Sequence, residues 1–371
     1  MPRIFEIFGY HIEDTSEKAE RSRRSAWCPF MDSQCDGGGN RPQSNIRLRD
    51  KPELRQFFDN PGEEIPSGVC SLQLRPHERP WIVCPRRLLV LGRRDMGQRR
   101  HQSFAEKLLL RHAGFEPGTT LGVWPEVKMK YIDEASGKSF DYTFDYILMP
   151  VGRSRQDEIE QRTGGRWRTL RPLIEKAGYG LAYREGACYV EDFPLGFPCV
   201  IEIMTSSTSG GNKRKRTTIP MAFEDAVLGR SHQGPGINYR QVWARMVSQF
   251  IVKSEVGIGW GGKTFWILQD TLVDYITGST ALDFRRFLSE HTSEVNVLSF
   301  SYGDAYENPS GVIELEEGVL YSGPISARRV DPDAPSFQDM IRAPVRPPVS
   351  ALLMLLTKRS PTNKILVGPL Q

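Results

Sequence analysis

Short apolar runs and alternating apolar and polar residues dominate the middle of the chain, and this pattern predicts β-strands. Residues 126–132 and 140–149 alternate on either side of a turn, as the two arms of a β-hairpin do. The runs 199–204 and 265–268 are largely apolar, which is typical of buried central strands. Between them, residues 238–254 repeat apolar side chains at helical spacing. Strands separated by such a helix predict an α/β fold with a mixed β-sheet flanked by helices.

The first third of the chain has a different pattern. Residues 2–11 predict a short strand, and residues 103–112 carry apolar side chains at helical spacing before a helix stop at Gly114. A chain of 371 residues is long enough for two or three packed units. We therefore expect an N-terminal domain over residues 1–114 and a second domain over residues 115–371.

Composition narrows the class of protein. Hydrophobic residues make up 39% of the chain and charged residues 25%, as in an ordinary soluble protein. The first nine residues lack a long apolar stretch, so we expect no secretory leader, and the longest apolar run, 351–356, is far shorter than the roughly 20 residues that cross a bilayer. We expect a cytoplasmic, prokaryotic protein with reduced cysteines and no membrane partner. Net charge is only +4, but the basic run 213–216 fits a polyanionic partner.

Four cysteines fall within the predicted N-terminal domain, at Cys28, Cys35, Cys70 and Cys84. In a reducing compartment such a group favours a metal site over two disulfides. The spacing is C-x6-C, then 34 residues, then C-x13-C, without the CxxC pairs of common zinc modules. Four thiolates suit both zinc and iron, so the residues alone leave the metal open.

Asp145 and Glu202 are acidic residues inside two of the apolar strands. A carboxylate is seldom buried in a sheet without a partner or a metal ion. Hydrolysis of a phosphodiester uses a divalent cation, and carboxylates are natural ligands of Mg²⁺. The pair therefore predicts a Mg²⁺ site. The alternative is that one or both side chains face solvent or pair with an arginine.

The segment after Glu202 is rich in small hydroxyl residues, glycines and basic residues. Its candidate DNA-contacting residues are Ser207, Ser209, Asn212, Lys213, Arg214 and Arg216. Small residues let a backbone approach DNA closely, and arginines contact phosphates or guanine edges. A disordered linker is the alternative, but the position directly after Glu202 favours DNA contact.

Several short motifs follow one another in an order that resembles the NotI-type restriction endonucleases, over roughly residues 1–275. The N-terminal motifs are Phe8-Gly9-Tyr10, Cys28-Pro29-Phe30, Gly68-Val69-Cys70 and Val83-Cys84-Pro85-Arg86-Arg87. The later motifs are Phe144-Asp145-Tyr146, similar to the family's F/M-D-W strand, and Val200-Ile201-Glu202-Ile203, similar to its V-E-I strand. Residues 236–253 are similar to the helix that follows the catalytic strand in that family.

The resemblance implies a PD-(D/E)XK nuclease core with a small N-terminal four-cysteine metal-binding module. It implies that Asp145 and Glu202 bind a catalytic Mg²⁺ and that the four cysteines hold a single structural iron. It further implies a type II restriction endonuclease that cuts double-stranded DNA as a homodimer, at a specific, GC-rich palindromic site. A cognate DNA methyltransferase is then the expected genetic neighbour.

One position departs from the family pattern. Met204 stands two residues after Glu202, where the family carries glutamine and the wider superfamily usually lysine, and a thioether cannot polarise water in the same way. Either another residue replaces it, with Lys128, Lys130 and Lys213 as the candidates, or activity is reduced. We favour Lys128 or Lys130, because both alternate with Glu126 on one face of a strand. Glu126 itself resembles the family's auxiliary active-site glutamate, and an exposed strand-end charge is the alternative.

Two other functions are compatible with these residues. Another PD-(D/E)XK nuclease, such as a repair or nicking enzyme, would share the same core. A DNA-binding regulator would read DNA with the thiol module and keep the carboxylates as structural residues. Met204 favours the regulator slightly, whereas the ordered motifs in both predicted domains favour the endonuclease much more.

Overall fold

The computed structural model describes residues 1–38, 45–59, 61–91, 100–135, 137–209, 211–279, 284–325 and 347–368. The strands in these ranges are β1 (Arg3–Ile7), β2 (Tyr10–His11), β3 (Trp27–Cys28), β4 (Ser33–Gln34), β5 (Asn45–Arg47), β6 (Glu64–Pro66), β7 (Val69–Gln73), β8 (Trp81–Ile82), β9 (Thr120–Ile132), β10 (Ser139–Arg155), β11 (Leu181–Arg184), β12 (Ala187–Pro194), β13 (Cys199–Ile203), β14 (Thr208–Ser209), β15 (Gly236–Ile237), β16 (Lys263–Gln269), β17 (Val295–Ser301), β18 (Glu316–Gly323) and β19 (Asn363–Leu366). The α-helices are α1 (Glu17–Arg24), α2 (Pro85–Leu88), α3 (Arg100–Ala113), α4 (Gln156–Thr163), α5 (Trp167–Lys176), α6 (Ile219–Val227), α7 (Tyr239–Gly259), α8 (Asp270–Ser279) and α9 (Val349–Leu356). Short 3₁₀ helices occur at Pro52–Phe57 and Phe284–Phe287.

A mixed β-sheet forms the centre of the fold. Its strand order, among the described strands, is β19–β9–β10–β13–β16–β17–β18, and β12 pairs with the last part of β10 while β11 pairs with β12. The pairs β9–β10, β10–β13 and β17–β18 are antiparallel, whereas β13–β16 and β16–β17 are parallel. The mixed sheet that the sequence predicts is therefore confirmed.

The predicted hairpin is present as β9 and β10, and both strands are longer than the apolar pattern indicated. β13 lies on the other side of β10, where Tyr146 pairs with Ile201. This pairing places Asp145 of β10 next to the part of β13 that carries Glu202. The two candidate carboxylates thus lie on adjacent strands, as the sequence predicts.

Helix α7 connects β13 to its parallel neighbour β16 and covers one face of the sheet. Its first turn is capped by Asn238, whose side-chain oxygen accepts a hydrogen bond from the backbone N–H of Gln241 at 3.1 Å. Val252 and Val256 of α7 pack with Phe144 in a hydrophobic cluster that also includes α9. The opposite face of the sheet is covered by α3 and by N-terminal residues, so helices flank the sheet on both sides.

The N-terminal part of the chain forms a smaller sheet with the order β2–β1–β7–β8. Phe5, Ile82 and Leu88 from this part belong to the same hydrophobic cluster as Ile201 and Phe265 of the central sheet. Packing therefore continues across the boundary expected between α3 and β9. The division into two domains stays a prediction.

The chain between β10 and β13 adds α4, α5, β11 and β12 at one side of the sheet. Ile159, Leu170 and Ile174 of the two helices pack with Val190 and Phe193 of β12 in a separate small core. The helix predicted near residues 167–177 corresponds to α5 and is confirmed. None of the helices in the described ranges is both long enough and apolar enough to span a membrane.

Candidate active site

Asp145 lies on β10 at a point where it reaches across to β13. One of its carboxylate oxygens, Oδ2, accepts a hydrogen bond from the backbone N–H of Ile203 at 2.7 Å. Burial raises the pKa of Asp145, and the nearby charges of Lys253 and Arg86 act in the opposite direction. This aspartate is thus held in place between two strands by a backbone contact.

Glu202 lies on β13 and is only 2% exposed. Its Oε2 atom accepts a hydrogen bond from Lys253 Nζ at 2.5 Å, while its buried Oε1 atom has no hydrogen-bond partner among the described residues. Burial, together with the neighbouring charge of Asp145, raises the pKa of Glu202 to about 8. A buried oxygen without a partner, next to a second carboxylate, is a suitable ligand for a cation.

Lys253 is the residue of this site that the sequence reasoning missed as a candidate. It projects from α7 with its side chain 4% exposed, and its Nζ atom lies 5.7 Å from the ring centroid of Phe144. A signal was present in the sequence. Lys253 follows Met246 and Phe250 at helical spacing, so it occupies a position of the apolar stripe of α7 that a charged residue seldom takes.

The positions named for water activation lie elsewhere. Met204 is 7% exposed and packs in the hydrophobic cluster around Phe250 and Trp266, away from solvent. Lys128 is exposed on β9. Lys130 is also exposed and pairs with Asp141 at 3.1 Å. The ammonium group placed against Glu202 therefore comes from α7 and not from β9. Lys128 and Lys130 do lie on one face of β9, as predicted, but that face is open to solvent.

Glu126 lies across from Asp145, at a position of β9 whose backbone has φ +51°. A positive φ is unusual for a residue other than glycine and often marks a functional position. The Glu126 side chain is 53% exposed, and its Oε1 atom accepts a hydrogen bond from Arg86 Nη2 at 3.1 Å. Arg86 Nε also donates to Asp36 Oδ2 at 2.9 Å. Arg86 thus connects the region of the cysteines to the edge of the carboxylate site.

The four N-terminal cysteines lie close to one another. Cys28, Cys70 and Cys84 are buried in one small cluster, with Cys35 partly buried against it. Burial raises the pKa of Cys28 to about 12, and the neighbouring Cys84 adds to this effect. The backbone N–H of Gly37 donates to the sulfur of Cys35 at 3.4 Å.

A metal-binding geometry is not formed by these thiols. Among the described residues, no group of three or more cysteine, histidine or acidic side chains could hold a metal ion. These four cysteines of the described residues are therefore close together and at least partly buried, but they do not form such a group. The iron site, with zinc as its alternative, stays a prediction.

The basic loop after β13 is partly structured. Ser209 belongs to β14, which pairs with β15, and Ser207 accepts a backbone hydrogen bond from Asn238 through its carbonyl oxygen at 2.8 Å. Asn212 Oδ1 accepts the backbone N–H of Arg214 at 2.8 Å, which fixes a turn. The side chains of Asn212, Lys213 and Arg214 are exposed.

Arg216 differs from its neighbours in this loop. Its guanidinium group donates two hydrogen bonds to the carboxylate of Asp225, both at 2.8 Å, and lies 3.1 Å from Glu224. These contacts tie the end of the loop to α6. Because this guanidinium group already has two carboxylate partners, its assignment as a DNA contact is less well supported than that of Lys213 or Arg214.

A cleft of about 1260 Å³ lies between the N-terminal part of the chain and this loop. Its N-terminal side includes Gly37, Gly38, Asn45, Arg47, Lys51 and Cys84. Its other side includes Thr208, Ser209, Gly211 and Lys213. Two of the residues proposed to contact DNA, Ser209 and Lys213, therefore share a concave surface with the region of the cysteines.

Comparison with known proteins adds no relative. No protein-family model matches the chain, and no curated protein matches it significantly. The resemblance to the NotI-type endonucleases therefore depends on the sequence motifs alone and stays a prediction.

Proposed function

We propose that this protein is a Mg²⁺-dependent nuclease that hydrolyses phosphodiester bonds of double-stranded DNA, and specifically a type II restriction endonuclease. One observation carries the proposal. Asp145 and Glu202 converge from adjacent strands of a mixed sheet, and the inner oxygen of Glu202 has no hydrogen-bond partner among the described residues. Two adjacent carboxylates with raised pKa values, beside a buried lysine, are typical of a catalytic site and unusual in a structural one.

In this proposal, Asp145 and Glu202 would hold the Mg²⁺ ion. Bound there, the ion would supply a hydroxide nucleophile and neutralise the charge that develops on the phosphate. The protein holds Asp145 in place through the Ile203 N–H and buries Glu202 so that water has little access to it. Fixed carboxylates in a low-dielectric position bind a cation without reorganising.

The proposed function also includes contacts with DNA and a structural iron ion in addition to the catalytic Mg²⁺. Exposed Lys213 and Arg214 beside the cleft would contact the DNA backbone, and Asn212, Ser207 and Ser209 would support base contacts. We propose a PD-(D/E)XK core, a homodimer that cuts a GC-rich palindrome, structural iron bound by the four cysteines, and a cognate methyltransferase. The mixed order of β9, β10, β13 and β16, with α7 between β13 and β16, supports such a core.

Cleavage of unmethylated, GC-rich plasmid DNA tests this function. With Mg²⁺ we expect discrete double-strand fragments, and with EDTA we expect none. Asp145→Asn and Glu202→Gln should each reduce the cleavage rate by roughly 10³-fold or more, because each change removes a proposed ligand charge. DNA binding, measured with Ca²⁺ in place of Mg²⁺, should be retained, since phosphate and base contacts supply most of the affinity.

Asp141→Asn is a matched control for Asp145→Asn. Asp141 lies on the same strand, but its side chain is 50% exposed and pairs with Lys130. We expect this variant to cut at the wild-type rate. Full activity in Asp145→Asn or Glu202→Gln would contradict the assignment of the site, and a smear without discrete bands would contradict site-specific cleavage.

A further inference from the structure

Lys253 is a charged side chain placed where α7 packs against the sheet. Its ammonium group is removed from water and contacts one carboxylate oxygen and the face of an aromatic ring. Replacing a buried ion pair with apolar side chains of similar volume is often neutral or stabilising. A lysine at this position is therefore poorly explained by packing alone.

The contact between Lys253 and Glu202 uses only half of the carboxylate. Oε2 accepts the lysine N–H, and Oε1 has no hydrogen-bond partner within the described part of the chain. Lys253 is also the cation with the largest effect on the pKa of Asp145. The ammonium group therefore lies beside both carboxylates and still leaves one oxygen of Glu202 for a cation.

We propose that Lys253 activates the attacking water of the hydrolysis, in the role for which residue 204 carries no suitable side chain. This inference rests on the proposed nuclease function. It also explains Met204, whose side chain packs in an apolar cluster. Helix α7 thus supplies the positive charge that Met204 does not.

The role of the lysine in the reaction is electrostatic. The water oxygen forms a bond to phosphorus, the bond from phosphorus to the leaving oxygen breaks, and the leaving oxygen takes up a proton from solvent. The proton lost by the water passes to solvent. Lys253 stays charged throughout, donates a hydrogen bond to the attacking oxygen, and stabilises the negative charge that develops there.

The other lysines considered for this role are placed less well. Lys128 and Lys130 are exposed on β9, and Lys130 pairs with Asp141. Lys213 is exposed on the loop after β14. An exposed ammonium group is well solvated and stabilises a developing charge less than a buried one does.

Lys253→Met and Lys253→Arg test the inference. Methionine keeps the volume of the side chain and removes its charge. Because Glu202 can take up a proton when the ammonium group is absent, we expect the first variant to fold, which circular dichroism checks. Its single-turnover cleavage rate on unmethylated, GC-rich plasmid with saturating Mg²⁺ should fall by about 10² to 10⁴-fold. Plasmid binding in Ca²⁺ should be unchanged.

Lys253→Arg keeps a cationic hydrogen-bond donor at this position of α7. We expect it to cut at least about tenfold faster than Lys253→Met, because a positive charge again lies next to the carboxylates. Lys130→Met, which removes an exposed lysine, should cut at the wild-type rate.

The outcomes distinguish failure of the role proposed for Lys253 from failure of the proposed nuclease function. If the wild type cuts and folded Lys253→Met cuts equally fast, the lysine is structural and this inference is wrong, while the nuclease proposal stands. The same holds if folded Lys253→Arg cuts no faster than Lys253→Met, because the positive charge is then not what the reaction uses. If the wild type leaves the plasmid intact with Mg²⁺, both the inference and the proposed function are wrong.

Discussion

Glu202 and Asp145 carry the same functional group in different surroundings. Glu202 is buried with one lysine contact, whereas Asp145 is half-buried and receives a backbone N–H as well as the influence of several basic side chains. Their proximity means that each ionised carboxylate disfavours ionisation of the other. A divalent cation would relieve this repulsion, so metal binding and proton release should be coupled.

This coupling predicts a pH dependence. Because burial and the neighbouring charge of Asp145 raise the pKa of Glu202 to about 8, a proton competes with Mg²⁺ for this carboxylate near neutral pH. At limiting Mg²⁺, we expect the cleavage rate to rise as the pH increases through about 8 and then to level off. Below that pH, the apparent Mg²⁺ dissociation constant should increase by about tenfold per pH unit, which calorimetric titration measures.

Lys253→Met provides an internal check on the sign of this effect. The charge of Lys253 lowers the pKa of Glu202, so removing it should shift the midpoint of Mg²⁺ binding to higher pH. A Mg²⁺ affinity that is constant between pH 6 and about pH 9 would contradict the assignment of Glu202 as a ligand for which a proton competes with Mg²⁺.

The residue scale also shows what the sequence could predict. Asp145 and Glu202 were identifiable because each is a charge within an apolar strand, and the pairing of those strands brings them together. Lys253 lies 51 residues from Glu202 along the chain, and its contact depends on how α7 is placed over the sheet. Strand periodicity contains no information about that placement, so the sequence pattern indicated Lys128 and Lys130 of β9 instead.

At the scale of elements, the short helix α2 links the region of the cysteines to the carboxylate site. Cys84 precedes α2, and Arg86 within it contacts both Asp36 and Glu126. One side chain thus holds a residue next to Cys35 and a strained residue of β9 at the same time. A guanidinium group suits this task, because its planar fork can donate in two directions.

We expect Arg86→Ala to lower the cleavage rate by roughly tenfold or more, because Glu126 and the nearby carboxylates lose a positioning contact. It should also lower the free energy of unfolding by about 1–3 kcal/mol, since Arg86 is mostly buried and its loss leaves Asp36 without this donor. Cleavage assays and urea unfolding measure the two effects. Arg24→Ala is the control, because Arg24 is 61% exposed in its pair with Asp59, and surface pairs contribute little.

The elements themselves were largely predictable. Apolar runs identified β13 and β16, and helical spacing identified α5 and α7. The length of β10 was not predictable, because its last part continues past Met149 into a more polar stretch that pairs with β12. That pairing depends on the small core of α4 and α5, which forms only when the whole segment between β10 and β13 folds.

At the scale of the whole molecule, the N-terminal part and the central sheet are held together by a buried polar network. The guanidinium group of Arg87 contacts the carboxylate of Glu6 at 3.1 Å and the carbonyl oxygen of Ile313 at 2.7 Å. The hydroxyl of Tyr302 donates to the same glutamate at 2.5 Å. Ser71, the residue that follows Cys70, donates its hydroxyl to the same glutamate at 2.8 Å. A change at the cysteines should therefore affect the stability of the entire chain and not only of the N-terminal part.

This linkage makes the proposed iron testable by stability. We expect the purified protein to contain about one iron per chain, because four thiolates form one tetrahedral site. Removing the metal with a chelator under reducing conditions should lower the Tm of a single unfolding transition by roughly 10 °C or more. Cys84→Ser should lose the iron and show a similar decrease in Tm.

Cys188→Ala is the matched control, because Cys188 is also buried, at 3% exposure, but lies on β12 outside the four-cysteine cluster. It should keep its iron and lose only the stability of a small cavity, about 1 kcal/mol. A folded protein without metal, whose Tm does not respond to the chelator, would show that the four thiols are only an apolar cluster. In that case the high pKa values of Cys28, Cys35 and Cys70 would have the simpler cause of burial, because an inert buried thiol remains protonated when no metal displaces its proton.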